Sequence, residues 1–334
     1  MSKHLRIWLF VILGTLLATT FLLAQGVITM TTSRAVGEEI GLSIKANGNV
    51  TIEGAQETSD YDTYTLTLTS QTVTIRGDVT ELNCMTTQLT SLNVSGCGTL
   101  TELICDGNQL TSLDVSKNTA LKKLDCSYNQ LTSLDVSKNT ALTSLWCFNN
   151  ELTSLDVSGC IALTSLWCFN NQLTSLDVSK NIALTELDCR ENLLTSLDVS
   201  KNAVLTTLAC SWNQLTSLDV SKNIALTELR CSYNRLTSLD VSKNIALTLL
   251  DCCNNKLTSL NLSECTRLVT LYCYSNCING KAMTKLVNSL PNRREKKSGT
   301  IFLVDRYSER RDKNKYSAAH VATARKKNWV VRQY

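Results

Sequence analysis

The sequence predicts a solenoid, a coil of short parallel strands stacked into one continuous sheet. Three observations predict it. Cysteines recur at positions 84, 105, 126, 147, 168, 189, 210, 231, 252 and 273, a period of 21 residues. Asparagines follow three positions later, from Asn108 to Asn276, with Thr87 standing in their place in the first copy. Ten copies run without an insertion, and the 334-residue chain holds a single proline, Pro291. A unit this short cannot bury its own apolar stripe, so copies must stack and share one core.

The elements follow in order. Lys3, His4 and Arg6 form a basic start, and Ile7 to Ala24 is an apolar run relieved by Gly14 and a few threonines. Residues 1–24 therefore read as a signal peptide, which would make the protein exported, to the cell surface or the medium. An uncleaved membrane anchor is the alternative, because the run approaches the length of a span. Residues 25–78 read as a β-rich N-terminal cap, on alternations such as Asn49-Val50-Thr51-Ile52-Glu53. Residues 79–279 hold the repeats, the first opening at Val79 and the last at Leu268. Residues 280–334 break the period and read as an α/β C-terminal cap. Ala282, Met283, Leu286, Val287 and Leu290 share one helical face that ends before Pro291. Thr300 to Asp305 reads as a strand, Ser317 to Lys327 as a helix opened by a serine cap, and Trp329 to Tyr334 as a last strand.

One unit reads Leu121-x-x-Leu124-x-Cys126-x-x-Asn129-x-Leu131-Thr132-Ser133-Leu134-Asp135-Val136-Ser137-Lys138-Asn139. Alternation turns Leu124 and Cys126 inward and Asp125 outward. Asn129 falls at the bend after the strand, where an amide can serve backbone groups that no sheet partner reaches. The second half, Leu131-x-x-Leu134-x-Val136-x-x-Asn139, echoes the first, and its asparagine becomes Cys97, Cys160 and Cys265 in three copies. The side opposite the sheet should then hold short strands or extended turns.

The L-x-x-L-x-C-x-x-N-x-L unit resembles the leucine-rich-repeat signature, with cysteine where the third leucine usually stands. Its 21-residue length and its Leu-Thr-Ser-Leu-Asp-Val-Ser phrase resemble the bacterial internalin-like surface proteins, over about Val79 to Ile278. The resemblance implies a leucine-rich-repeat solenoid with a parallel β-sheet on a curved binding face. It implies no particular ligand.

Charge is uneven. Residues 25–280 hold 16 Lys/Arg against 25 Asp/Glu, and residues 281–334 hold 15 against 4. The basic end reads as a cap, with contact to an acidic cell envelope or membrane as the alternative. Nucleic acid is disfavoured, because the basic residues interleave with helix and strand patterns and no nucleic-acid module is recognisable. The cysteines read as small buried hydrophobes. A disulfide ladder would need Cβ atoms about 3.8 Å apart where stacked strands offer about 4.8 Å, and metal ligands must converge where these run in a line. Cys253, beside Cys252 and turned outward, and Cys277, after the last strand, stand apart as reactive or bridged candidates.

Enzymatic chemistry has little to work with. His4 lies in the signal, and His320 lies in the last helix as a solvated or capping residue. No nucleophile motif flanks it, and no cofactor or metal is expected. A calcium-binding row of aspartates (Asp114, Asp135, Asp156, Asp177, Asp198, Asp219, Asp240) lacks the glycine-rich turn of calcium solenoids, and lysines three positions on in every copy but that of Asp156 offset its repulsion. The variable positions carry the information. The residues flanking each cysteine place Trp146, Phe148, Trp167 and Phe169 as a two-by-two aromatic patch, with Arg190, Arg230, Tyr272 and Tyr274 further along. Trp212 and Tyr233 lie on the turns beyond the cysteine. Exposed aromatics and arginines of this density point to a contact surface for a protein or glycan ligand on a cell surface or in matrix. The competing reading is that cross-strand aromatic ladders only stabilise the sheet. Two functions stand: a non-enzymatic binding protein using this face, or a structural, self-associating envelope component.

Overall fold

The computed structural model describes residues 26–57, 64–304 and 312–333. The signal-peptide expectation on residues 1–24 lies outside them. The chain opens with β1 (Val27–Thr32), β2 (Glu39–Ala46), β3 (Thr51–Glu53), β4 (Ala55–Glu57), β5 (Tyr64–Leu68) and β6 (Thr72–Arg76). Alternation is clean in them: β1 buries Ile28, Met30 and Thr32 and β2 buries Ile40, Leu42 and Ile44. These strands pair antiparallel into two sheets. One, in the order β4-β5-β2, continues into the first repeat through β7 (Val79–Asn83). The other, β3-β6-β1, ends on β8 (Leu89–Asn93), the far side of that same repeat. The cap thus closes both sides of the coil's open end.

From β7 onward each copy adds one short parallel strand: β9 (Glu102–Ile104), β10 (Lys123–Asp125), β11 (Ser144–Trp146), β12 (Ser165–Trp167), β13 (Glu186–Asp188), β14 (Thr207–Ala209), β15 (Glu228–Arg230), β16 (Leu249–Asp251) and β17 (Thr270–Tyr272). Residues one period apart stand side by side, as in Leu124↔Leu145 and Asp125↔Trp146. The ladder runs past the strands into the turns, where Cys126 N–H donates to Trp146 O at 2.9 Å and Tyr128 N–H to Phe148 O at 3.0 Å. Inside, Leu121, Leu124, Cys126, Leu131 and Val136 are fully buried, as are their counterparts along the coil. Each such leucine contributes about 1.5–3 kcal/mol of burial free energy.

After β8 the opposite side carries turns instead of strands among the described residues. Turn N–H groups there bond to the carbonyl three residues back: Asn139 N–H reaches Val136 O at 3.0 Å, and Leu142 N–H reaches Asn139 O at 3.1 Å. The serine N–H takes the aspartate of the same phrase, as Ser137 N–H does Asp135 Oδ1 at 2.9 Å.

Two buried asparagine rows hold the turns. Asn129 Nδ2 donates to Cys105 O at 3.0 Å and Cys126 O at 3.1 Å, and Asn150 Oδ1 accepts from Leu131 N–H at 2.9 Å. On the other side, Asn139 Nδ2 donates to Val115 O at 3.0 Å and Asn118 O at 2.9 Å.

At the far end, α1 (Gly280–Ser289) buries Met283, Leu286 and Val287 against the last coil. β18 (Gly299–Val304) pairs parallel with β17, and β19 (Trp329–Gln333) with β18. Between them lies α2 (Ala318–Lys326), at whose start Ser317 N–H donates to His320 Nδ1 at 3.0 Å. His320 is thus a capping residue. Several basic side chains satisfy backbone here. Arg293, buried, donates to Leu268 O at 2.8 Å, and Lys327 Nζ donates to Leu290 O at 2.7 Å.

Candidate ligand-binding face

The parallel register lines up the residue before each cysteine in one row and the residue after it in a second. Trp146 and Trp167 stack at 4.9 Å and 17°. Beside them Phe148 and Phe169 stack at 4.3 Å and 11°. All four are half-buried. Each stack is worth about 0.5–1.5 kcal/mol beyond its buried area, so the patch does stabilise the sheet. Its outer ring faces are mostly taken. Lys123 Nζ lies 5.1 Å from the Trp146 ring, Arg190 lies 5.2 Å from Phe169, and Tyr128 meets Phe148 edge-on at 5.2 Å.

Next to Trp167 and Phe169 the sheet face sinks. The row continues through Asp188, Ala209 and Arg230, and Ala209 leaves a gap with a volume of about 570 Å³. Trp167 and Phe169 form one wall, and Glu186, Asp188, Arg190, Thr207, Glu228 and Arg230 line the rest. Arg190 forks onto Asp188, with Nε donating to Oδ1 at 2.9 Å and Nη2 to Oδ2 at 2.6 Å. Arg230 pairs with Glu228. Glu186 is exposed and is met by Ser165 Oγ at 3.5 Å.

A third row runs along the turn two residues past each cysteine, and its backbone is left-handed. Tyr128 (φ 50°), Trp212 (φ 56°) and Tyr233 (φ 51°) stand where Asn149, Asn170 and Asn254 stand in other copies. The left-handed region costs an ordinary residue about 1–2 kcal/mol, and asparagine tolerates it better. Trp212 and Tyr233 stack at 3.8 Å and 8°, with Trp212 54% exposed. One stack does not offset strain at two bulky residues. Glu191 and Ser275 take the same left-handed conformation in other copies, so the backbone there does not require an aromatic residue.

Trp146, Phe148, Trp167, Phe169, Arg190 and Arg230 therefore fall on one surface, and Trp212 and Tyr233 form a ridge along its turn edge. Two expected contact residues are displaced. Tyr274 is 5% exposed, because the C-terminal cap closes over the last coil: Asn314 Nδ2 donates to Cys273 O at 2.8 Å, and Ser275 N–H donates to Asp312 Oδ2 at 2.8 Å. Tyr272 stacks on Phe302 of β18 at 4.6 Å, which covers one face of its ring. Cys253 corrects another expectation. It is 2% exposed and hydrogen-bonded to Tyr274, and burial pushes its thiol up to about 12, so it is an unreactive core residue. Among the described residues every cysteine is free, Cys277 included, and burial lifts Cys84 and Cys210 to about 12 as well.

The aspartate row on the opposite side serves its turns. Asp114, Asp135, Asp156, Asp177, Asp198, Asp219 and Asp240 each accept the N–H of the serine two residues on, which holds their carboxyls below the usual range.

Sequence reasoning missed Glu186 and Glu228. They sit three residues before their cysteines, a strand position that faces the same surface and could have been tabulated with the other two rows. It also missed an exposed isoleucine ridge, Ile161 (63%), Ile182 (64%), Ile224 (61%) and Ile245 (58%), at one position of the turn that leads into the sheet.

Comparisons with known proteins agree with this architecture. The family described as Leucine Rich repeats (2 copies) matches residues 140–181. A search of curated proteins returned no match. Among solved structures, the functional domain of InlJ from Listeria monocytogenes, described as including a cysteine ladder, is 40% identical with a TM-score of 0.63, covering 71% of this chain and 52% of that one. This chain thus spans about half the length of that relative. A leucine-rich-repeat protein of Leptospira interrogans shares the fold at 22% identity and a TM-score of 0.55, over 72% of this chain and 68% of its own. The internalin InlF of Listeria monocytogenes shares it at 17% and 0.50, over 75% and 86%. With its 21-residue unit, its single parallel sheet and its inward cysteines, the chain is an internalin-like leucine-rich-repeat protein of the bacterial type, built on a scaffold typical of protein-binding domains.

Proposed function

We propose that this protein is a non-enzymatic, exported binding protein, a surface adhesin or secreted scaffold that captures a protein or glycan ligand on its sheet face between β11 and β15. The observation that carries the reading is the strained, exposed Trp212–Tyr233 stack standing beside the Trp146–Trp167 and Phe148–Phe169 stacks. Aromatic rings exposed at a turn position whose backbone does not require them support contact with a partner. The test is capture of candidate cell-surface and matrix material by the chain from Gln25 onward and by its Trp146→Ala/Trp167→Ala variant, with circular dichroism on both. Capture by the parent and its loss in the folded variant is the expected result; equal capture by both overturns the reading.

A second reading has its own observation. The isoleucine ridge is apolar and exposed across several coils, which suits a structural, self-associating component of the cell envelope. Sedimentation would then show concentration-dependent assembly that Ile182→Lys/Ile224→Lys abolishes while the Trp146→Ala/Trp167→Ala variant leaves it unchanged.

A further inference from the structure

We propose that the depression between β12 and β15 is a socket for a cationic side chain, a lysine or arginine presented by a basic segment of a partner protein. The inference rests on the sheet face being the binding face and names what that face takes.

The aromatic block has four outer ring faces. Two of them are covered by cations of this chain, Lys123 over Trp146 at 5.1 Å and Arg190 over Phe169 at 5.2 Å. A third, on Phe148, is covered by Tyr128. The fourth is the face of Trp167 turned away from Trp146. It looks along the sheet toward Asp188 and Ala209 and forms a wall of the depression. An indole face is the strongest of the aromatic cation sites, and the other end of the same stack already carries a cation, Lys123 over Trp146.

Charge points the same way. Three carboxylates line the depression, Glu186, Asp188 and Glu228, against two guanidinium groups. Arg190 holds Asp188 and Arg230 holds Glu228. Glu186 has no such cation in the lining, and among the described residues the contact that meets it is the long one from Ser165 Oγ. An incoming ammonium or guanidinium group would therefore meet an open indole face and an uncompensated carboxylate together. Its alkyl stem would lie over Thr207 and Ala209, where the short side chain makes the room. The volume, about 570 Å³, lies within the range of ligand sites, about 300–1,000 Å³. The acidic balance of residues 25–280 would draw a basic partner toward this face.

A fluorescently labelled peptide of alternating lysine and glycine serves as the probe, read by anisotropy against the folded chain at low and at physiological salt. The same peptide with acetylated lysines is the neutral control. The expected result is that acetylation, Trp167→Ala and Glu186→Gln each weaken binding at least tenfold, that Trp167→Phe retains it within about threefold, and that Asp198→Asn/Asp219→Asn, on the opposite side, changes it less than twofold. Equal loss in the Asp198→Asn/Asp219→Asn variant would show diffuse attraction to an acidic body and overturn the proposal. So would unchanged binding by folded Glu186→Gln, or an oligosaccharide that occupies the Trp167 wall in place of the peptide. If capture of surface material still depends on Trp146 and Trp167 while the lysine peptide fails to bind, the binding face stands and the cationic socket falls. If neither depends on Trp167, both fall.

Discussion

Asn181 and Asn192 lie in adjacent coils and do different things with the same side chain. Asn192 Oδ1 accepts from Leu173 N–H at 3.0 Å, and its Nδ2 donates to Cys168 O, Cys189 O and Arg190 O. Asn181 Nδ2 donates to Val157 O at 3.0 Å and Cys160 O at 2.9 Å, but its Oδ1 is buried without a partner among the described residues. A thiol supplies one donor and little else, and Cys160 uses it on Val136 O at 3.5 Å. Cysteine can therefore replace asparagine in the second row, where no acceptor is needed, and not in the first. Asn181→Cys is expected to cost less than about 1 kcal/mol and Asn192→Cys about 2–4 kcal/mol, since the latter leaves a buried N–H and several carbonyls unmet. Urea unfolding midpoints of the two variants check this. Thr87, in the first copy, lacks a preceding copy's N–H to serve, and a hydroxyl donating to Cys84 O at 2.7 Å suffices there.

At the scale of the element, the opposite side of the coil is a column of turns closed by aspartates. Hydrogen bonds from serine N–H groups lower the Asp177, Asp198 and Asp219 carboxyls, with the neighbouring lysines helping. A depressed pKa means that the charged form favours the folded state. The stabilisation is present above the unfolded carboxylate pKa, about 3.9, and is lost as pH falls through the lower folded value. Asn93 and Asn261 make the same turn with a neutral amide. The Asp177→Asn/Asp198→Asn/Asp219→Asn variant should therefore keep its fold and lose less stability than the parent between pH 5 and pH 2, as read by urea midpoints across that range.

For the whole molecule, each coil touches only its neighbours, so stability is a chain of local interfaces and the ends matter most. Trp329 anchors the C-terminal cap. It is 1% exposed, and its Nε1 donates to Pro291 O at 2.8 Å. Trp329→Ala should cost about 3–5 kcal/mol, felt first at β17 and β16 while β9 and β10 keep their protection. Hydrogen exchange along the strand amides checks it, and uniform loss of protection along the coil would contradict the local picture. The basic balance of the cap has a similar origin in part. Arg293 and Lys327 serve carbonyls of the last coil and of α1, which accounts for two of its cations without any external partner.

The coil itself was legible from the sequence, because a strict 21-residue period forces equivalent residues into register. The register then assigns the inward leucines and cysteines, the Asn129-type bends and the flanking rows that carry Trp146, Trp167, Phe148 and Phe169. Other properties depend on what packs over a residue from outside its own coil. Alternation turns Cys253 and Tyr274 outward, yet the cap residues around Asp312 and Asn314 bury that end of the face, and no period within the repeat reports it. The depression is likewise a property of several coils at once. It needs Trp167 from one copy, Asp188 and Glu186 from the next, a missing side chain at Ala209 and the Glu228–Arg230 pair beyond. Sequence determined which residues share a row. Only the tertiary structure decided which ring face is left open and which carboxylate lacks a cation, because those follow from how neighbouring side chains lean across the strands.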